Sequence, residues 1–534
     1  TNPMTAYFIA VYVICIAYMI LNFRYDIQML QQNSYRIRRY YRWLEDGNFF
    51  SAWRLTDVAL LFLLFSTLLN TVLASFVVAA TLLVKIVVLL RRKYKKPLVF
   101  TRRVWRIYSV SGIISVAVVA AATIVSLQAN ADSYNPATLS LGTILLITIF
   151  SWIPVITAVA LLTPVEKAIN RRYYNEAASI LKSMPELKVI GITGSYGKTS
   201  TKHYLNRILS EKYDVLMTPG SFNTPMGVIR TIREMMKPYN QVFICEMGAK
   251  QKGDVKEICD LVHPDAGIIT AVGPMHLETF KTLENVQSTK FELADALPEN
   301  GLIVVNNDFE ACASRPVCNV DSKRYGVACP GGCDYRATDV RYSPQGTSFT
   351  VEGPDGFRIE LETRLIGECN IANLLGAVVM AIHLEVPAER IKYAVASIEQ
   401  VEHRLSIRQT PGGTTIIDDA FNSNPTGSRM AVDVLSHFKD GRRIIVTPGM
   451  IELGKEQFTL NKELGAHIGR NIDIAVIVGS YNRDAIVAGI RESGFDEQNL
   501  HIVDSFSESQ TLLARLMRAG DTVLYENDLP DTFK

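Results

Sequence analysis

Four apolar runs, at about 4–22, 56–90, 104–127 and 140–163, crowd the first 165 residues of this 534-residue chain. No other feature restricts the fold as tightly. A run of ~20 apolar residues matches a ~30 Å hydrocarbon core, where the backbone must close its own hydrogen bonds as helix. The run 56–90 would extend about 52 Å as one helix, at ~1.5 Å per residue, too long for a single crossing. Charge sets the count. Segment 23–55 carries Arg24, Arg36, Arg38, Arg39, Arg42 and Arg54, and segment 91–103 carries Arg91, Arg92, Lys93, Lys95, Lys96, Arg102 and Arg103. Both segments should face the cytoplasm, whereas 128–139, without Lys or Arg, should face outward. The run 56–90 must then cross an even number of times, as a hairpin turning near Asn70–Ser75. The expectation is five spans in a bacterial inner or plasma membrane, N-terminus outside and the remainder cytoplasmic. No basic stretch precedes the first run, so a cleaved signal peptide is not expected. Few ionisable residues lie within the runs, so they read as an anchor, with or without a groove for a lipid substrate, rather than a conduit.

The composition changes after residue 165. A basic amphipathic stretch, 166–186, holds Lys167, Arg171, Arg172, Tyr173 and Tyr174 and reads as a linker against anionic headgroups, with substrate binding as the alternative. From 187 to 402 short apolar runs (Val189–Ile192, Gln241–Cys245, Ala266–Thr270, Gly301–Val305) alternate with helical stretches, the signature of a parallel sheet with crossover helices. Alternation with turn residues between 334 and 364 predicts a β-hairpin excursion. From 403 to 534 the runs Thr414–Ile417, Arg443–Val446, Ile474–Val478 and Thr522–Leu524 predict a smaller Rossmann-like α/β domain. A net charge of +2 goes with no expected nucleic-acid partner.

The segment Val189–Ser200 joins a buried strand to a helix through a glycine-rich loop, so successive N–H groups converge on phosphate oxygens at a helix N-terminus. Gly194, Ser195 and Gly197 form the loop, Lys198 reaches outer phosphates, and the Thr199 hydroxyl, followed by Ser200, ligates Mg²⁺. Its form is G-x-T-G-x-x-G-K-T, with Gly191 and Gly194 flanking Thr193, not the strict spacing with a glycine five residues before Gly197. Glu246 follows a strand in Cys-Glu-Met-Gly-Ala, at the sheet edge where open α/β sheets bind ligands, and suits Mg²⁺ as a hard oxygen donor. An exposed loop glutamate is the plainer alternative. His276, in Gly273-Pro-Met-His276, sits just past another strand, as a ligand or as a structural histidine. Lys290 falls on a helix and has no special reading alone. A cytosolic location argues for free thiols. Cys312, Cys318, Cys329 and Cys333 supply enough thiolates for zinc, but Cys329-Pro-Gly-Gly-Cys333 reads equally as a turn.

In order, Gly191–Thr199, Glu246-Met-Gly248, Gly273–His276, Lys290 and Asn306-Asn-Asp308 resemble the Mur ligases, ATP-dependent amide ligases of peptidoglycan precursor synthesis. Arg336–Asp339, Gly367–Asn373, Asp418–Pro425 and Pro448–Gly454 resemble the D-alanyl-D-alanine-adding branch of that family, over about 187–528. The resemblance implies a membrane α-helical region, then an α/β Mur-type ATPase domain and a Rossmann-like C-terminal domain. It implies ATP bound by Lys198 and Thr199, with Glu246 on one Mg²⁺ and His276 on a second. It implies that Lys290 is carbamoylated and holds the second ion. Asn370 and Asn373 would lie near adenine, and Arg404 and Asp419 would reach ATP from the C-terminal domain. Asn223, Thr224 and Asn422 would position substrate.

The implied chemistry is acyl-phosphate formation from a carboxylate, then attack by an amine donor, an amino acid or dipeptide. Cys369 departs from the family's usual histidine and Phe421 from its tyrosine. The UDP-sugar-binding N-terminal domain is replaced by the apolar runs. After Gly520-Asp521, the family's Lys-Gly-Ser-Arg gives way to Tyr525-Glu-Asn-Asp528, which suits a more cationic donor or is an exposed tail. The expected acceptor is a lipid-linked or membrane-associated carboxylate. Ordinary dipeptide addition to a UDP-muramyl peptide and poly-γ-glutamate-type ligation are the alternatives. An ATP-driven transporter would need a second Walker-type aspartate motif and a transporter signature that the chain lacks.

Overall fold

The computed structural model describes residues 3–33, 35–45, 49, 51–66, 70–92, 94, 96–128, 136–330, 332–343, 346–401, 403–420 and 424–528. The chain divides after Ile169 into two compact units.

The first unit is helical: α1 (Pro3–Gln32), α2 (Ile37–Trp43), α3 (Ala52–Phe65), α4 (Thr71–Arg91), α5 (Arg102–Gln128), α6 (Pro136–Ile149) and the start of α7 (Trp152–Lys182). Among the described residues four helices, not the expected five, are long and apolar enough to cross a membrane: Ala6–Gln32, Thr71–Arg91, Arg102–Val125 and Trp152–Lys182. The hairpin within 56–90 exists, but α3 has 14 residues. At ~1.5 Å per residue that is about 21 Å, short of the hydrocarbon core. Thr71–Ser75, expected in the turn, are already helical, and the Asn70 side chain caps α4 by accepting from the Leu73 N–H at 2.8 Å. The run 140–163 is broken between α6 and α7, where the Ser151 hydroxyl hydrogen-bonds Asp26 of α1. Beyond the break α7 continues through Pro164 to Lys182, so the last apolar segment and most of the predicted linker share one helix.

The buried charges Asp26, Arg54, Asp57 and Lys85 of this unit are paired. Asp57 of α3 takes Lys85 of α4 at 2.6 Å and the Tyr18 hydroxyl of α1 at 2.9 Å. Lys85 also donates to the Trp53 carbonyl at 2.8 Å and the Thr56 hydroxyl at 2.7 Å. Asp26 accepts from Arg54 at 3.1 Å and from Tyr40 at 2.8 Å. A buried charge is tolerated only with its partners, and removing one partner costs roughly 3–5 kcal/mol.

The second unit contains two sheets. The larger has nine strands in the order β2-β3-β1-β4-β5-β6-β7-β8-β9. These are β1 (Lys188–Thr193), β2 (Val215–Met217), β3 (Val242–Glu246), β4 (Ala266–Ile269), β5 (Leu302–Asn306), β6 (Asp321–Gly326), β7 (Tyr335–Ser343), β8 (Gly346–Glu352) and β9 (Arg358–Thr363). β2 to β7 pair in parallel, and β7, β8 and β9 form the expected antiparallel excursion. Strand alternation serves two cores. Ile190 and Ile192 of β1 pack with the helices Lys198–Leu209 and Glu368–His383 on one face, and Val189 packs with Pro225–Met235 and Leu283–Asp295 on the other. After β1 the chain goes to β2 and β3 on one side and then to β4 on the other. This reversal opens a crevice at the strands' C-terminal ends.

The second sheet runs β10-β11-β15-β12-β13-β14. It comprises β10 (Ser406–Gln409), β11 (Thr415–Asp419), β12 (Arg443–Thr447), β13 (Ile474–Val478), β14 (Leu500–Val503) and β15 (Thr522–Glu526). All its pairs are parallel except β10 with β11. Glu526 is not an exposed tail residue. It is fully buried and accepts hydrogen bonds from the Ser428 and Thr447 hydroxyls. Burial pushes its carboxyl up to about 7, against the lowering effect of those hydroxyls.

Two outcomes are expected. Lys85→Met should destabilise the helical unit by roughly 3–5 kcal/mol in detergent-solubilised thermal unfolding, and adding Asp57→Leu should recover much of the loss. Because Glu526 is raised in the folded state, its contribution is fully present below the ordinary carboxylate range and is lost as pH rises toward about 7. Glu526→Gln should flatten that decline in Tm between pH 5 and about 8, with a gain at the alkaline end.

Candidate active site

Backbone geometry at the end of β1 makes the loop. Gly194 has φ +154° and Gly197 φ +82°. A Cβ on Gly194 would lie 2.1 Å from Thr270 Oγ1, and one on Gly197 would lie 2.1 Å from Asn373 Oδ1. The loop is pinned to the β4 end: the Ser195 N–H donates to the Ala271 carbonyl at 2.7 Å and its hydroxyl to the Gly273 carbonyl at 3.0 Å. Lys198 opens the following helix and folds back onto the loop, donating to the Gly194 carbonyl at 2.7 Å and the Ser195 carbonyl at 3.2 Å. Burial lowers its ammonium to about 8, with Glu246 opposing the shift and the Arg404 charge adding to it. Ser200 is buried on the inner face of the same helix.

Glu246 ends β3 and is 1 % exposed, so the exposed-loop alternative is excluded. Its Oε1 accepts from the Thr199 hydroxyl at 3.2 Å and from Asn223 Nδ2 at 2.9 Å. Lys202 Nζ lies 2.9 Å from Oε2 and donates to the Gly220 carbonyl at 2.7 Å. Burial works to raise the carboxyl, but Lys202, Lys198 and the hydrogen bonds outweigh it and hold it below the ordinary range. The charged, buried pairing of a carboxylate with a hydroxyl at the phosphate loop is a donor set suited to Mg²⁺, which favours hard oxygens and a few protein ligands.

The predicted residues come together unequally. Asn373 lies against Gly197, as above. Asn370, one turn earlier, spends its amide inside the protein, accepting from the Tyr204 hydroxyl at 2.9 Å and donating to the Ile366 carbonyl at 2.9 Å. Asp419 is buried and accepts the Leu405 N–H at 3.2 Å, holding the segment that carries Arg404. The Thr224 hydroxyl caps the helix Pro225–Met235, accepting from the Gly227 N–H at 3.3 Å. Lys290 is 2 % exposed, and burial, with the Lys198 charge adding, lowers its ammonium well below the usual lysine range. His276 has φ +51° and its Nδ1 hydrogen-bonds Glu452 of the C-terminal domain. Burial lowers its imidazolium, with Glu452 opposing. Asn422 and Phe421 lie outside the described residues.

The cysteines correct two expectations. Cys329 and Cys333 form a disulfide, so they are not free thiols. Among the described residues no group of three or more His, Cys, Asp or Glu side chains is arranged to hold a metal, which removes the zinc alternative. Asn306-Asn-Asp308 shapes the same loop. Asp308 accepts from the N–H groups of Val327, Ala328 and Cys329 at 2.8–2.9 Å, and Asn307 donates to the Gly332 carbonyl at 2.7 Å.

Three further residues belong to the site, Lys202, Tyr196 and Glu452. Lys202 follows Thr199 by three positions, so it shares a helix face with it, a signal available in the spacing. Tyr196, inside the loop, meets the Thr426 hydroxyl at 3.1 Å, a contact between domains that only folding creates. Glu452 lay in a quoted motif without a role.

Residues 192–381 match the Mur ligase middle domain and residues 403–525 the Mur ligase glutamate ligase domain. The UDP-N-acetylmuramoyl-tripeptide–D-alanyl-D-alanine ligase of Bacillus subtilis is 29% identical over 346 residues, which is 64% of this chain and 72% of that enzyme. A crystal structure of MurF from Acinetobacter baumannii superposes with a TM-score of 0.60 at 25% identity, covering 68% of this chain and 78% of that one. The fold is shared with Thermotoga maritima MurF in complex with ADP, at a TM-score of 0.60 and 24% identity over 67% of this chain and 80% of that one. With these two catalytic domains, and a region of long apolar helices in place of the N-terminal Mur domain, the chain belongs to the Mur ligases, ATP-dependent amide ligases to which MurF is related.

Proposed function

We propose that this chain is a membrane-anchored Mur ligase that joins an amine donor to a carboxylate on a lipid-linked or membrane-associated acceptor in cell-envelope synthesis. One observation carries the reading: both catalytic domains are present, while four long apolar helices stand where a UDP-sugar-binding domain would be. The basic segments flanking those helices favour an outside N-terminus and cytoplasmic catalytic domains. Domain limits of 1–165, 166–186, 187–402 and 403–534 fit this division.

ATP phosphates would lie along Gly194, Ser195, Gly197, Lys198, Thr199 and Ser200, with Asn370 and Asn373 on the adenine side and Arg404 and Asp419 closing from the C-terminal domain. Mg²⁺ would be held by Thr199 and Glu246, and a second ion by His276 and a carbamoylated Lys290. Bound Mg²⁺ neutralises the crowded phosphate charge. The residues do the rest. Lys198 stabilises charge on the transferred phosphoryl group, and Asn223 holds the Glu246 carboxylate in place beside the acceptor loop. The acceptor carboxylate takes the γ-phosphoryl group, releasing ADP. The donor amine then attacks the acyl phosphate, and phosphate leaves as the amide forms. The depressed ammonium of Lys290 supports its carbamoylation, because only the neutral amine adds to CO₂.

Identity of 29% to a dipeptide-adding enzyme across both domains favours a second reading, ordinary addition to UDP-muramyl tripeptide. ATP-dependent phosphate release by detergent-solubilised protein, measured against amino acids, dipeptides and lipid-linked or UDP-linked carboxylates, separates the two. Stimulation by lipid-linked acceptors is expected. Stimulation by UDP-muramyl tripeptide with D-alanyl-D-alanine, and by no membrane-borne carboxylate, would overturn the first reading. Lys198→Ala should lower turnover by about 10²–10³-fold, the scale of losing one preorganised donor. ¹³C-labelled CO₂ should give a carbamate NMR signal that Lys290→Ala abolishes.

A further inference from the structure

His276 and Glu452 belong to different domains and meet in the same contact. His276 opens the short helix after β4, and Glu452 lies in the loop after β12. Both are held with positive φ, +51° and +62°, a conformation that side chains other than glycine and asparagine rarely keep without a compensating contact. The backbone is fitted around them. The Glu278 N–H points at the Glu452 carbonyl at 3.4 Å, and a Cβ on Gly454 would lie 3.3 Å from the Glu278 nitrogen. His276 Nδ1 hydrogen-bonds Glu452 Oε2, a contact in which an ionised carboxylate can only accept, while Glu452 Oε1 faces Lys250 Nζ at 3.7 Å.

An imidazole whose Nδ1–H is committed to a carboxylate presents the lone pair of Nε2 in a defined direction. Carboxylate–histidine pairs of this kind orient metal-bound histidines and raise their basicity. Here the carboxylate arrives from the other domain.

We propose that Glu452 is a positioning residue for His276, selecting its tautomer and ring orientation so that the second metal position is complete only when the two domains are in contact. The proposal rests on the reading of His276 as a ligand of that ion, and it makes metal occupancy depend on domain closure.

The test uses the full chain in detergent with a non-hydrolysable ATP analogue and Mn²⁺ as probe, counting bound ions by electron paramagnetic resonance. The wild type should bind two ions per chain, and His276→Ala should lose the weaker. Glu452→Gly, which accepts φ +62° without strain, should weaken that ion by about 10–100-fold and leave the tighter ion and the nucleotide unchanged. Glu452→Gln keeps an acceptor oxygen and should recover most of the loss, with unfolding temperature near wild type in both variants. Wild-type affinity for the weaker ion in Glu452→Gly, alongside its loss in His276→Ala, would overturn the positioning role and leave the ligand reading standing. Retention of both ions in His276→Ala would overturn the ligand reading and this proposal with it.

Discussion

The Glu246 carboxylate, ionised and almost fully buried, is the constraint around which the catalytic unit is organised. A charge in that position needs cations and donors on every side. Lys202 and Thr199 come from the helix after the phosphate loop, and Asn223 from the loop before the next helix. Meeting that need fixes the rotation of the helix Lys198–Leu209 and seats the loop that carries Asn223. It also keeps the Thr199 hydroxyl beside a carboxylate, the arrangement a phosphate-bound cation uses. The parallel register of β1 with β3, which pairs Ile192 with Glu246, delivers both to one crevice.

Contacts across the two domains extend that arrangement. Tyr196 of the phosphate loop reaches Thr426 at the start of the helix Pro425–Ser436, and His276 reaches Glu452. Gly273 serves the first contact directly, since a Cβ there would coincide with the Tyr196 hydroxyl at 1.4 Å. The candidate site is therefore shaped by contacts between the two domains as well as by the sheet edge.

The helical unit answers the same electrostatic demand differently. Its buried charges pair, Asp57 with Lys85 and Asp26 with Arg54, and tyrosine hydroxyls add further bonds to both carboxylates. These pairs tie α1, α3 and α4 together.

Local chemistry made much of this legible in the chain itself. The glycine spacing of the phosphate loop, the parallel strands, the β7–β9 excursion and the placement of Glu246 after a strand all follow from short-range patterns, because strand alternation and tight turns depend on neighbouring residues. Burial and long-range pairing decided the rest. Hydropathy could not tell that α3 stops after 14 residues or that Ser151 breaks the last run, since both depend on what packs beside them. Acid residues at the end of the chain looked like a tail or a donor-facing surface, yet Glu526 closes β15 as a buried carboxyl tied to two hydroxyls. Spacing does not disclose that Cys329 and Cys333 close a disulfide loop, or that Glu452 crosses to His276 over 176 residues of chain. Sequence determined which groups exist and which strand or helix carries them. Tertiary structure decided which charges meet, because an ion pair depends on distance through space and the order of residues along the chain does not encode it.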